Sequence, residues 1–139
     1  MAGNMTLQIV TPEGTVLKDA TTDTVIIPST EGSMGILHNH APMVTALKAG
    51  VLRFKQGNSF TRVAVSGGFL ELSQNRITVL ADTAEPGETI DLLRAQEARK
   101  RAEARLRDRA ANIDRARAEA ALQRAVARLK AAGKYEDKA

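Results

Sequence analysis

The chain has 139 residues, of which 43% are hydrophobic and 26% are charged, and its formal net charge is +4. This composition is typical of a globular chain with room for one domain and an appendage. Cysteine is absent, which excludes disulfides, thiolate catalysis and Cys-ligated zinc. The longest apolar runs are far shorter than the roughly 20 residues of a membrane-spanning helix. Since the N-terminus has no signal-peptide pattern, we expect the chain to stay on the side of the membrane where it is made.

The first part of the chain, residues 1–85, alternates apolar and polar positions between turn residues. Several short strands at this spacing predict a β-sandwich or a small barrel. Turns are expected at Pro12–Thr15, Gln56–Asn58 and Gln74–Asn75. The predicted strands are Met5–Val10, Thr22–Ile27, Met43–Leu47, Val51–Lys55, Phe60–Val65, Gly68–Leu72 and Arg76–Leu80.

After Pro86-Gly87 the periodicity becomes helical, so we place the domain boundary between residues 1–85 and residues 86–139. A first helix is predicted to begin near Ile90, with Thr89 as its N-cap and Asp91 in its first turn.

Residues 109–112 interrupt the helical pattern, and a second helix is predicted to begin near Ile113, capped by Asn112 or Asp114. Two helices of similar length with a short connection predict an antiparallel hairpin. Its contact face is mainly alanine, which buries little apolar area, so the hairpin should depend on the surface against which it docks.

The positive charge is concentrated in the helical part. Residues 1–85 carry six basic and seven acidic side chains, whereas residues 86–139 carry fourteen and nine. A basic half indicates an acidic partner, which could be a nucleic acid, a phosphate ligand, an anionic membrane or a carboxylate-rich protein surface.

Arginines recur at helical spacing on both predicted helices. Asp91, Arg94 and Arg101 can share one side of the first helix, and Arg124 and Arg128 share a side of the second. If these sides approach each other, the guanidinium groups repel unless an anion lies between them, and a triphosphate would match their bidentate geometry. The alternative is a solvated helix surface with weak pairs.

Three segments and their order resemble the epsilon-subunit family of F-type ATP synthases. The segments are residues 32–42 (GSMGILHNHAP), residues 65–71 (VSGGFLE) and residues 79–85 (VLADTAE). The resemblance covers essentially the whole chain. It implies a flattened ten-stranded β-sandwich with two C-terminal helices, placed in the central stalk where it contacts the gamma subunit and the c-ring. It also implies an intrinsic inhibitor of ATP hydrolysis whose extended helices reach the alpha and beta subunits.

The family resemblance also implies which residues contact these partners. The candidates for the c-ring contact are Glu31, Ser33, His38 and His40, although relatives often have an acidic residue in place of Ser33. We read Gly32 and Gly35 as flanking a tight turn, and we expect His40 to make a local hydrogen bond that holds this loop. Two histidines without a carboxylate cluster do not make a metal site.

The first predicted helix resembles the ATP-binding motif of certain bacterial epsilon subunits, Ile/Leu-Asp-x-x-Arg-Ala. This motif implies ATP as a regulatory ligand, with no cofactor required. Asp91 could accept hydrogen bonds from an adenine amino group or hold an arginine in place, and Ala95 leaves space for a flat base. Its members and the accompanying positions are Glu85, Asp91, Arg94, Ala95, Arg101, Arg124 and Arg128.

Two other classes of function fit the sequence less well. An independent enzyme fits poorly because the sequence shows no nucleophile–base pair, metal cluster or phosphoryl-transfer motif. A nucleic-acid-binding hairpin is suggested by the sequence pI of about 9.8, but acidic residues interrupt the basic runs and aromatic residues are scarce.

The family resemblance implies a peripheral position on the cytoplasmic face of a bacterial plasma membrane, with the thylakoid membrane as the alternative.

Overall fold

The computed structural model describes residues 3–108 and 114–133, which form eight strands followed by two helices. A 3-10 turn, Gly87–Thr89, precedes the first helix. The elements are β1 (Met5–Thr11), β2 (Gly14–Thr22), β3 (Thr24–Ser29), β4 (Gly32–Leu37), β5 (Met43–Gln56), β6 (Ser59–Ser73), β7 (Arg76–Ala81), β8 (Ala84–Pro86), α1 (Leu92–Arg107) and α2 (Arg115–Ala131).

The strands form a sandwich whose two layers share the long hairpin of β5 and β6. The strand order is β2-β1-β7-β6-β5-β3-β4, with β8 paired to the first half of β6. Layer A contains β2, β1, β7, the second half of β6 and the first half of β5. Layer B contains the other halves of β5 and β6 with β3, β4 and β8. When the halves of β5 and β6 are counted separately, the total is ten, and the predicted sandwich is confirmed.

The bend in the shared hairpin lies at Gly67 and Gly68, both of which have φ +125°. This conformation favours glycine, and a Cβ on Gly68 would also collide with the carbonyl of Leu80. The ladder continues from Leu47–Gly68 to Ala49–Ser66 on either side of the bend. From the sequence, the two halves of β5 and the two halves of β6 were predicted as four separate strands. In the structure, the halves of β5 form one continuous strand, and so do the halves of β6.

The space between the layers is filled by aliphatic side chains and one phenylalanine, Phe54. Two buried polar side chains have partners: the Thr22 hydroxyl donates to the Lys55 carbonyl at 2.7 Å, and the Ser29 hydroxyl accepts from the Glu31 N–H at 3.0 Å. The fully buried aliphatic residues include Leu7, Ile9, Val25, Ile27, Ile36, Leu52, Leu70, Ile77 and Val79.

In the N-terminal part, one prediction is wrong and one strand was not predicted. The tight turn expected between Gly32 and Gly35 is instead strand β4, in which Gly35 pairs with Ile26 of β3. The turn itself is the two-residue connection Thr30-Glu31. Strand β2 was not predicted, because Lys18 and Asp19 interrupt its pattern and much of this edge strand is exposed.

The first helix begins later than predicted. Thr89 does not cap it, because the Thr89 hydroxyl donates to the Pro86 carbonyl at 2.8 Å within the 3-10 turn. Asp91 is the N-cap, and its side chain accepts from the Arg94 N–H at 3.1 Å. Asp114, one of the two predicted caps, holds the start of α2 in the same way; Asn112, Ile113 and the predicted break at residues 109–112 lie outside the described residues.

Helix α2 lies on the outer face of layer B and carries α1 on its other side. Ala127 and Ala131 of α2 pack against Ala64 and Val51 of the sandwich. Ile90, just before α1, joins the same cluster near the C-terminus of α2, so the helices run antiparallel, as predicted. Neither helix of the described chain is long and apolar enough to span a membrane.

Candidate functional site

The four predicted arginines lie on one side of the helical hairpin, which we call the arginine face. Each arginine directly precedes a buried residue of its helix. When two helices are antiparallel, the residues that directly precede the contact residues of each helix point to the same side of the pair. The reason is that, viewed along one axis, successive residues of the two helices progress in opposite rotational directions. The pairs are Arg94–Ala95, Arg101–Ala102, Arg124–Ala125 and Arg128–Leu129.

The arginine face meets the sandwich at Glu85 of β8. Arg128 Nε donates to Glu85 Oε1 at 2.7 Å, and both side chains are about one-third exposed (35% and 36%). Arg124 lines the same cleft. The cleft has a volume of about 10 Å³, which is at most the space for one water molecule. The Glu85 carboxylate is therefore the anion that pairs with Arg128 in this structure.

Of the remaining predicted ligand-binding residues, Asp91, Arg94 and Ala95 lie around the start of α1, and Arg101 lies about two turns further along the helix. Asp91 uses one carboxylate oxygen as the helix cap, while the Arg94 and Arg101 side chains are exposed. Ala95 is only 2% exposed because α1 packs against α2 at this position. Among residues 3–108 and 114–133, the ion pairs do not include Arg94, Arg101 or Arg124.

The candidate c-ring residues do not share one loop. Glu31 and Ser33 lie at the start of β4, whereas His38 and His40 follow its end. A six-residue strand separates the two groups by roughly 17–20 Å. The expectation of one contact loop is therefore wrong, and a partner that touches both groups has to lie along the edge strand β4. The local hydrogen bond expected of His40 is confirmed, because its Nδ1 lies 2.8 Å from the carbonyl oxygen of Ala41.

An exposed row of apolar side chains, which was not predicted from the sequence, lies on the outer face of layer A, and we call it the apolar row. Strand register aligns Ala46, Phe69, Leu80 and Val10 directly across four neighbouring strands. Phe69 and Leu80 are 58% and 53% exposed. The signal was present in the sequence, because β6 and β7 have apolar residues at consecutive positions and so place them on both faces.

Gly87 has a role that the sequence analysis also missed. A Cβ at this position would collide with the Ala131 carbonyl at the end of α2. Nearby, Arg62 Nη1 of β6 donates to the Lys130 carbonyl at 3.4 Å. The Pro86-Gly87 junction is thus a boundary in the sequence and also a point where the chain passes close to the end of α2.

Comparisons with known proteins agree with both parts of this architecture. Residues 4–87 match the model of the ATP synthase delta/epsilon chain β-sandwich domain, and residues 88–133 match the model of its long α-helix domain.

Similar chains occur in several bacteria. The ATP synthase epsilon chain of Symbiobacterium thermophilum is 66% identical over 110 residues, which cover 79% of each chain. The epsilon chain of Carboxydothermus hydrogenoformans is 52% identical over 134 residues, covering 96% of this chain and 99% of that one.

Among solved structures, a chain of the Euglena gracilis mitochondrial ATP synthase, from a cryo-EM structure of its OSCP/F1/c-ring, has a TM-score of 0.76 at 25% identity. The alignment covers 86% of this chain and 76% of that one.

The fold and the arginine face define a two-part protein, in which a β-sandwich carries a basic helical hairpin. The two matched models together cover nearly all of the described residues. The chain belongs to the ATP synthase delta/epsilon chain family and is of the epsilon type.

Proposed function

We propose that the chain is a non-catalytic rotor subunit of the ATP synthase central stalk, which links the gamma subunit to the c-ring and inhibits ATP hydrolysis through α1 and α2. Family membership and the likeness to a chain of an F1/c-ring structure support this assignment. Because the similar chains are bacterial, the proposed location is peripheral, on the cytoplasmic face of the plasma membrane.

The observation that carries the inhibitory role is the weak attachment of the hairpin. The cluster between α2 and the sandwich contains small alanines, with Val51 and Ile90 only partly buried, and one ion pair joins α2 to β8. Little apolar area has to be exposed when α1 and α2 detach from the sandwich. The basic helices would then meet acidic surfaces of the alpha and beta subunits, where opposite charge favours association.

A truncation tests this role. A chain that ends after Thr89 keeps β8 and the complete sandwich, so it should assemble with the other subunits but lose inhibition. A chain that ends after Gly133 retains both helices and is the matched control. ATP hydrolysis by the reconstituted complexes is the measurement. Full inhibition by the chain that ends at Thr89 would show that residues 90–133 are not the inhibitor.

Two surfaces of the sandwich suit the stalk partners. The apolar row gives the gamma subunit a surface whose burial would stabilise assembly, since contiguous exposed apolar groups mark interaction sites. The c-ring would lie along β4, where it could reach Glu31 and Ser33 at one end and His38 and His40 at the other.

ATP is proposed to favour the compact state by binding the arginine face. Four guanidinium groups on one side of the hairpin repel each other, and Glu85 pairs with Arg128 alone. A triphosphate would neutralise them and join both helices. The narrow cleft at Glu85 means that ATP has to displace this carboxylate from Arg128. The displaced carboxylate and Asp91 could then accept hydrogen bonds from the adenine amino group.

Calorimetric titration of ATP tests the arginine face. Arg124→Ala or Arg128→Ala removes a charge-assisted hydrogen bond of about 1.5–3 kcal/mol, so ATP affinity should fall about tenfold or more. Arg107→Ala is the matched control, because Arg107 is exposed in the last turn of α1 outside the motif. Equal losses in all three variants would indicate diffuse electrostatic attraction instead of a site.

A further inference from the structure

A second basic region lies apart from the arginine face, in a groove between α2 and the outer face of layer B. The groove has a volume of about 660 Å³, which is large enough for a small ligand. None of the described residues that line it is acidic. Its polar lining consists of Lys48, Arg53, Arg62, Lys130, Ser33 and Gln123.

Two of these basic residues are in an arrangement that costs stability. Arg53 of β5 and Arg62 of β6 are direct cross-strand partners in the antiparallel ladder. Like charges directly opposite each other destabilise a sheet, because their Cβ atoms are only about 4.5–5.5 Å apart. No ion pair within the described ranges includes Arg53 or Arg62.

Contacts with α2 orient one member of the pair. Arg62 Nη1 donates to the Lys130 carbonyl at 3.4 Å, which fixes the guanidinium beneath the C-terminal end of α2 and uses one of its five N–H donors. Lys130 itself lines the groove from the helix side. The basic side chains thus converge on the same space from two strands and from one helix.

We propose that this groove binds pyrophosphate, a compact and multiply charged phosphate. Paired guanidinium groups match phosphate oxygens, and the bound anion would offset the repulsion between Arg53 and Arg62. The site is distinct from the arginine face, since neither Glu85, Arg124 nor Arg128 lines the groove. Because Lys130 belongs to α2 and the arginines belong to the sandwich, the complete site exists only while α2 is docked. Binding therefore stabilises the docked state.

Calorimetric titration of the full chain with inorganic pyrophosphate tests the proposal. The double variant Arg53→Gln/Arg62→Gln should bind pyrophosphate about tenfold or more weakly. Arg105→Gln/Arg107→Gln on α1 removes the same charge from exposed positions and should leave the affinity unchanged. Pyrophosphate should also raise the unfolding temperature of the native chain more than that of the Arg53/Arg62 variant. Equal affinity in the native chain and the Arg53/Arg62 variant would overturn the proposal.

Three further arms separate this groove from the ATP site and test whether binding requires a multiply charged phosphate. The Arg53/Arg62 variant should keep its ATP affinity, and Arg124→Gln/Arg128→Gln should keep its pyrophosphate affinity. If either double variant loses affinity for both ATP and pyrophosphate, the two ligands share a single anion site and the groove is not a separate site. Inorganic phosphate should bind more weakly than pyrophosphate if several cations act together; equal binding would contradict a multiply charged ligand.

Discussion

The sandwich and the helical hairpin are built from different side chains, and this difference determines how firmly each is held. The sandwich buries Leu, Ile, Val and Phe between its layers, and each contributes about 1.5–3 kcal/mol. The hairpin buries mainly alanine, whose methyl group contributes about 0.8 kcal/mol. Its buried residues are Ala95, Ala102, Ala118, Ala125, Ala127, Leu129 and Ala131.

The two parts depend on each other unequally. The sandwich has its own core, so it should fold without the helices. Each helix has 16 or 17 residues, little more than the roughly 12–15 below which an isolated helix is marginal, so most of the stability of the hairpin should come from packing. An element that is folded mainly by its docking surface can be moved by a ligand that contributes a few kcal/mol.

The largest expected effect is on the sandwich core. Leu70→Ala removes a side chain that is 0% exposed and should lower the free energy of unfolding by about 2–5 kcal/mol. Leu93→Ala makes the same chemical change on α1, where the side chain is 67% exposed, and should alter stability by no more than about 0.5 kcal/mol. Urea denaturation followed by circular dichroism measures both. Similar losses of unfolding free energy in Leu70→Ala and Leu93→Ala would mean that the sandwich and the hairpin share one core.

An intermediate effect is expected at the junction. Gly87→Ala forces a Cβ against the Ala131 carbonyl, so docking of α2 should weaken by about 1–3 kcal/mol while the sandwich stays folded. Dyes at Ser59→Cys and Ala104→Cys would report the distance between the two parts, since the chain has no native cysteine. Gly35→Ala is the control, because nothing lies within 4 Å of a Cβ built there. An unchanged distance distribution in Gly87→Ala would show that the docked state tolerates the side chain.

The smallest effect concerns the ion pair between the two parts. A double-mutant cycle with Glu85→Gln and Arg128→Gln, measured with the same dyes and without nucleotide, should give a coupling energy of about 0.5 kcal/mol for this partly exposed pair. The two substitutions should therefore shift the docked population by less together than the sum of their separate effects. Strict additivity would show that the pair does not help to hold α2.

The sequence predicted the elements whose pattern is determined locally. Alternation located β1, β7 and both halves of β5 and β6, and helical spacing located the arginines that the structure places on one side of the hairpin. In contrast, β4 depends on pairing with β3, and its glycines suggested a turn. At β4, pairing with the neighbouring strand β3 outweighed the local preference of glycine for turns.

The details of the candidate site depended on tertiary contacts. Thr89 and Asp91 are both plausible caps by residue type, and the 3-10 turn after β8 decides between them. The pairing of Glu85 with Arg128 joins residues 43 positions apart, so no local spacing could have predicted it. The opposed Arg53 and Arg62 likewise depend on the register of the β5–β6 hairpin.

The parallel pairing of β1 with β7 has a consequence for the order of events during synthesis. Thr6 pairs with Arg76, so β1, which can pair with β2 early in synthesis, gains its second neighbour only after one of the last strands of the sandwich has left the ribosome. Contacts between distant positions slow folding, because a long loop must close before the pairing forms. A nascent chain that stops before residue 76 should therefore remain open to proteolysis, and α2 has no finished surface to receive it until the sandwich has closed.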